Sequence, residues 1–152
     1  MRRIEVMVAL CLAMALGIEA AQANPAGARS GLTAVGGQGT GSVKLSPTAQ
    51  DQGTFHVQGE VNVHGALPNI SFSVQRAIDL SPGDGVCTIA PSPPQGWITL
   101  TTLTTSDGGA GAAHFERATT LPSGTRFDLI FRVVSDDGTQ LLMSECVTVT
   151  VK

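Results

Sequence analysis

The sequence has no tyrosine, 4% aromatic residues, 14% charged residues and three cysteines. These shortages exclude several functions. Lys and Arg are few and scattered, so no basic face is available to neutralise a phosphate backbone, and nucleic acid is excluded as a partner. No C-x-x-C pair occurs, which leaves no redox-active dithiol. Without a G-x-S-x-G elbow there is no nucleophile held on a sharp strand-to-helix turn. Without a D-x-D-x-D run there is no ready-made calcium loop. Beyond residue 23 no stretch repeats apolar residues at helical spacing, so an amphipathic helix is missing as well.

What is present begins with an export signal. Arg2 and Arg3 precede an apolar run from Val6 to Ile18, interrupted only by Gly17, and Ala21-Gln22-Ala23 supplies the small-x-small pattern of signal peptidase. The reading is a signal peptide over 1–23, cleaved after Ala23, on a secreted or periplasmic protein. The apolar run is shorter than the roughly 20 residues a spanning helix needs, so no membrane span is expected in the mature chain. Cys11 lies inside the run behind the bulky Leu10, which argues against lipidation. Arg2, Arg3, Glu5 and Glu19 cancel, so the mature chain keeps the formal charge of −3.

Cys87 and Cys146 are then the remaining cysteines, and an even number in an exported chain predicts one disulfide between them. The closed loop of about 60 residues corresponds to ~4 kcal/mol in the chain-entropy account.

Residues 24–41 are rich in Gly, Ala and Pro and are expected to form a flexible leader. The folded domain is placed at 42–152. Val43 and Leu45 begin it. From Thr54 to His64, Phe55, Val57, Val61 and Val63 alternate with His56, Gln58, Glu60, Asn62 and His64, the period-2 pattern of a strand with one buried face. Gly59 falls on the apolar face and marks a bulge or a close approach by a neighbour. Ile70 to Ile78 repeats the pattern until Arg76 breaks it. Trp97 to Thr104 carries a register shift at Thr101-Thr102. Ala113 to Ala118 follows. Thr125 to Lys152 reads as a hairpin: Phe127, Leu129, Phe131 and Val133 alternate in one arm, Val147, Val149 and Val151 in the other, with Ser135-Asp136-Asp137-Gly138 as the turn.

About seven short strands at this spacing predict an all-β fold, a single antiparallel two-sheet sandwich. From Ser42 to Lys152 the chain resembles small secreted immunoglobulin-like or fibronectin-III-like domains. The segment LPSGTRFDLIFRV resembles the turn and penultimate strand of such sandwiches, with Phe127 near the place of their corner tyrosine.

No catalytic residues and no metal ligands are assigned. His56 and His64 share a strand face but stand roughly 26 Å apart, too far to hold one ion, and His114 can approach only one of them. Glu60, Glu116 and Glu145 are the carboxylates available for glycoside cleavage, and the first two sit on polar strand faces. Asp84-Gly85, Asp107-Gly108 and Asp136-Asp137-Gly138 are acidic turns that turn chemistry alone explains. No cofactor is implied. Asn69-Ile70-Ser71 fits the glycosylation pattern.

The long insertion 79–96 contains Pro91, Pro93 and Pro94 ahead of Trp97, the single tryptophan. Trp97 is expected as the core residue opening its strand. If exposed beside the extended proline stretch, these four residues form a candidate surface for a protein or glycan at the envelope. The expected function is therefore a non-enzymatic exported domain with a binding or structural role. The competing expectation is a calcium, copper or zinc protein, or a secreted hydrolase. A small-ligand carrier requires a cavity that the Phe and Val residues do not predict.

Overall fold

The computed structural model describes residues 27–47, 54–79, 83–87 and 96–151. Residues 1–23, read above as a signal peptide, and Pro91, Pro93 and Pro94 lie outside the described residues. Nine strands follow in order: β1 Ala28–Gly36, β2 Thr40–Pro47, β3 Phe55–His64, β4 Ser71–Asp79, β5 Ile98–Thr104, β6 Gly111–Thr119, β7 Arg126–Ser135, β8 Leu141–Ser144 and β9 Val147–Thr150. All pairings are antiparallel, and no helix occurs among the described residues.

The strands form one hydrogen-bonded sheet, ordered β5-β4-β7-β8-β1-β2-β3-β6, with β9 beside β7. The sheet curls until its end strands β5 and β6 lie next to each other, giving a nearly closed barrel. The all-β antiparallel expectation holds, with nine strands where about seven were expected, hydrogen-bonded as one continuous sheet. At the seam Arg117 of β6 donates from Nη2 to the Thr99 and Leu100 carbonyls of β5, both at 3.2 Å. One side chain here does what a ladder of backbone bonds does elsewhere.

The leader expectation fails for a definite reason. Gly and Ala side chains give β1 little to bury, yet its backbone pairs with β2 along Ala28 to Thr33 and with β8 from Leu32 onward. Leu32 and Ser30 are buried. Neighbours on both edges override a composition that, read alone, favours a linker.

Elsewhere the apolar alternation places the core. Phe55, Val61 and Val63 of β3, Phe72 and Val74 of β4, and Phe127, Leu129, Phe131 and Val133 of β7 point into one interior. Gly59 is inward and unbulged. It faces Phe115 across β3 and β6, and the Phe115 ring occupies the space that a Cβ at Gly59 would need. The ring reaches towards Phe131, with centroids 6.2 Å apart. The register shift on β5 is real but sits at Leu100, since Val74 pairs with Thr101 and Gln75 with Thr99.

The second arm of the C-terminal hairpin is broken. Leu142 and Ser144 are buried in β8, Val149 and Val151 in and beyond β9, so the inward parity switches between them. Ser144 fills the gap: its Oγ accepts from the Phe131 N–H at 2.9 Å and donates to the Glu145 carbonyl at 2.7 Å. Beyond the break β9 stays with β7 while β1 stays with β2.

The barrel therefore has two different ends. At one, the turns 37–39, 65–70, 105–110 and 136–140 gather, and we call it the hairpin end. At the other, the far end, the chain crosses between halves, and the Cys87–Cys146 disulfide ties the crossover after β4 to the β8–β9 break, with Cα atoms 5.6 Å apart.

Candidate functional site

The sequence-derived candidates disperse. His56, His64 and His114 lie on the outer face of β3 and β6, and His56 Nδ1 meets Glu116 Oε1 at 3.3 Å. Among the described residues no group of three or more His, Cys, Asp or Glu is placed to hold a metal ion. Glu60 accepts from Asn62 Nδ2 at 3.0 Å, and this bond, with smaller help from His114, Lys44 and Arg29, lowers its carboxyl below the usual range.

Asp84, Asp107 and Asp137 of the acidic turns accept hydrogen bonds from the chain itself. Asp84 Oδ1 accepts from the Val86 N–H, and Asp107 Oδ1 from Asn69 Nδ2. Asp137 Oδ1 takes the Ser135 hydroxyl at 2.6 Å and the Thr139 N–H at 3.0 Å. Those bonds, Ser135 first, lower the Asp137 carboxyl. Asp84 and Asp137 thus form Asx-type turns, in which the carboxylate caps local donors, whereas Asp107 ties the 105–110 turn to the 65–70 turn.

Trp97 is not the core residue expected. It is half-buried, with the Arg132 guanidinium 4.3 Å from its ring centroid, and Arg132 Nε donates to Gln75 Oε1 at 2.7 Å. Gln75 and Arg132 are cross-strand partners, and successive residues in a strand point to opposite faces. Their inward neighbours Val74, Phe131 and Val133 place this pair, and the indole beneath it, on the outside.

Sequence reasoning passed over Asp128. It is fully buried on the outer side of β7, where Oδ2 accepts from the Gly85 N–H at 3.1 Å and Oδ1 from Thr148 Oγ1 at 2.6 Å. A buried carboxylate needs such donors. Here they fix the disulfide-bearing loop against β7 and β9.

The concave feature is at the far end. A cleft of about 140 Å³, open to solvent along β6 where Arg117 and Ala118 are exposed, lies between the β2-β3-β6 side and the β4-β7 side, walled by Val57, Ile78, Phe115 and Leu129 together with Arg76 and Arg117. Arg76 shares the inward parity of Phe72, Val74 and Ile78, so the residue that broke the apolar face in the sequence breaks it inside the barrel. The chain matches no protein-family model and no curated protein. The cavity must be judged on its own chemistry.

That chemistry is apolar walls with positive charge. Burial, then the neighbouring Arg117 charge, lowers the Arg76 guanidinium below its ordinary value, though a guanidinium starts so high that it stays charged. Arg117 spends its donors on carbonyls: Thr99, Leu100 and, through Nη1, Glu116. Neutral acceptors leave its charge in place. A sign of this site was present in the sequence, as an arginine at an inward strand position.

Proposed function

We propose that this chain is a non-enzymatic exported binding domain. The observation that carries the reading is the far-end cavity, apolar in its walls and bordered by two arginines. A pocket of this kind, apolar with a few convergent polar groups, is how protein binding sites are commonly built. Asp84, Asp107 and Asp137 of the acidic turns accept hydrogen bonds from the chain itself, Asp128 anchors the disulfide loop, and Glu60 and Glu116 pair with Asn62 and His56 on the outer face.

Export is part of the same proposal. It is supported by the sequence of residues 1–23 and by the disulfide, which belongs to oxidising compartments. No helix among the described residues is long and apolar enough to cross a membrane.

The immunoglobulin-like or fibronectin-III-like sandwich is likewise a proposal. In it, β5-β4-β7-β9 and β1-β2-β3-β6 would be the two faces, joined through β8. The Trp97 and Arg132 pair on the outer face is the corresponding place for a protein or glycan partner at the envelope.

A thermal-shift screen of the disulfide-closed exported chain tests the reading. A ligand at 100 times its Kd adds ~2.7 kcal/mol, several degrees in Tm for a domain of this size. Stabilisation by a small organic ligand, with methyl NMR shifts at Val57 and Ile78, is the expected result. Stabilisation by calcium, copper or zinc, with those methyls unmoved, would overturn it in favour of a metal protein.

A further inference from the structure

We propose that the far-end cavity takes a small carboxylate with an apolar body of roughly ring size, its charged end at Arg76 and Arg117 and its body against Val57, Ile78 and Leu129. The inference rests on the binding reading above and names the ligand class for it.

Charge gives the first argument. Arg76 is half-buried and lines the cleft with Ile78 and Phe115, and its guanidinium makes no hydrogen bond among the described residues. The one ion pair among those residues is His56–Glu116, on the outer face. Two guanidinium groups therefore border an apolar cavity with no carboxylate of the described chain against either. Desolvating a charge is costly unless an opposite charge or hydrogen bonds compensate, and two like charges side by side add to the cost. Arg117 is exposed and has three carbonyl contacts, whereas the half-buried Arg76 guanidinium has no such contact among the described residues. A ligand carboxylate supplies the missing group, since the planar fork of a guanidinium matches the two carboxylate oxygens.

Size gives the second argument. The cavity, about 140 Å³, is close to the ~150 Å³ of an engineered apolar cavity that binds benzene. It has room for one aromatic ring or a short acyl chain. Phe115 helps to keep that room, because the absent side chain at Gly59 lets its ring lie back against β3. The mixture of apolar wall and positive charge selects against ligands that are wholly polar and against cations.

The test is methyl-resolved NMR on the disulfide-closed protein, titrated with benzoate, hexanoate, benzamide and benzylamine. Benzoate and hexanoate are expected to shift the Val57, Ile78 and Leu129 methyls with millimolar affinity, as suits ligands of this size. Benzamide should bind about 10-fold more weakly, and benzylamine more weakly still, from loss of the charge-assisted bond.

Arg76→Gln should weaken benzoate by a similar factor while leaving benzamide unchanged, and Arg76→Lys should restore part of the loss. If Arg76→Gln does not fold, Arg117→Gln and the series of uncharged and charged ligands on the native protein carry the same comparison. Equal affinity for benzoate and benzamide would overturn the carboxylate assignment and leave the binding reading intact. Methyls unmoved by every compound would overturn both.

Discussion

At the hairpin end, separate turns are tied to one another by backbone bonds and by the buried Thr105 and Gln140 side chains. The Ala66 N–H donates to the Gly109 carbonyl, the Thr105 hydroxyl donates to Leu67 O at 2.7 Å and accepts from Ile70 N–H at 3.0 Å, and buried Gln140 accepts from the Leu67 N–H. At the far end a disulfide, one buried carboxylate and an arginine at the seam hold the crossings, and a cavity remains between them. Short turns bring donors and acceptors together because the strands deliver them in register. At the far end the turn before β7 is also tied by backbone bonds between Gly124, Thr125 and Val151, but the longer crossing after β4 is held by side chains and a covalent bond. A binding site is easiest to build where packing is not already complete, which is the far end.

The difference can be broken most strongly at the disulfide. Replacing Cys87 and Cys146 by Ser should lower stability by ~4 kcal/mol, the loop-closure figure for a separation of 59 residues. Urea unfolding of the two forms measures this, and loss of less than about 1 kcal/mol would mean the far end is held by Asp128 and packing instead.

Thr105→Val tests the hairpin end. It leaves the Ile70 N–H and the Leu67 carbonyl without their hydroxyl partner, at a cost of about 2–3 kcal/mol. Hydrogen exchange should show the increase in opening first at Ile70.

Gly59→Ala connects the two ends to the cavity. A methyl at that position overlaps the Phe115 ring, so the ring must move into the interior. The expected loss is roughly 1–2 kcal/mol, as in other overpacked cores, together with a smaller cavity seen as weaker benzoate shifts at Ile78.

The smallest effect belongs to Asp137 in the β7–β8 turn. Its carboxyl is lowered by the Ser135 and Thr139 donors, so the folded state holds the proton less tightly than the unfolded state. The stabilisation is complete above the ordinary Asp range and disappears as pH falls through the lower folded value. Asp137→Asn should flatten that part of the acid limb of a stability curve, and an unchanged limb would assign the effect elsewhere.

Much of the architecture was legible because side-chain alternation reports a buried face directly. The β3 residues Phe55, Val61 and Val63 show it, and so do Phe127 to Val133 in β7. Gly59 signalled the close approach of Phe115, and the pairing of Cys87 with Cys146 followed from cysteine arithmetic. The break between β8 and β9 was also written in the residues, since Leu142 and Val149 differ in parity, but a single smooth arm hides it. What could not be read depends on neighbours distant in sequence. Strand β1 exists because β2 and β8 flank it, and Trp97 lies outside because Arg132, 35 residues on, covers it. The cavity was half legible: Arg76 stood out as a break in the pattern, but its meeting with Arg117 requires the sheet to curl.

Strand β1 has two partners of very different age. A chain made from its N-terminus first presents β2 to β1 within a few residues, yet β8 begins only at Leu141. Until then one edge of β1 is an unpaired template of N–H and C=O groups, and the most stable arrangement of the first hundred or so residues is incomplete. Such late, non-local pairing slows folding and prolongs exposure to edge-to-edge association. A glycine-rich, weakly apolar β1 is a poor seed for that association, so the composition that disguises the strand also protects the nascent chain while it waits for β8.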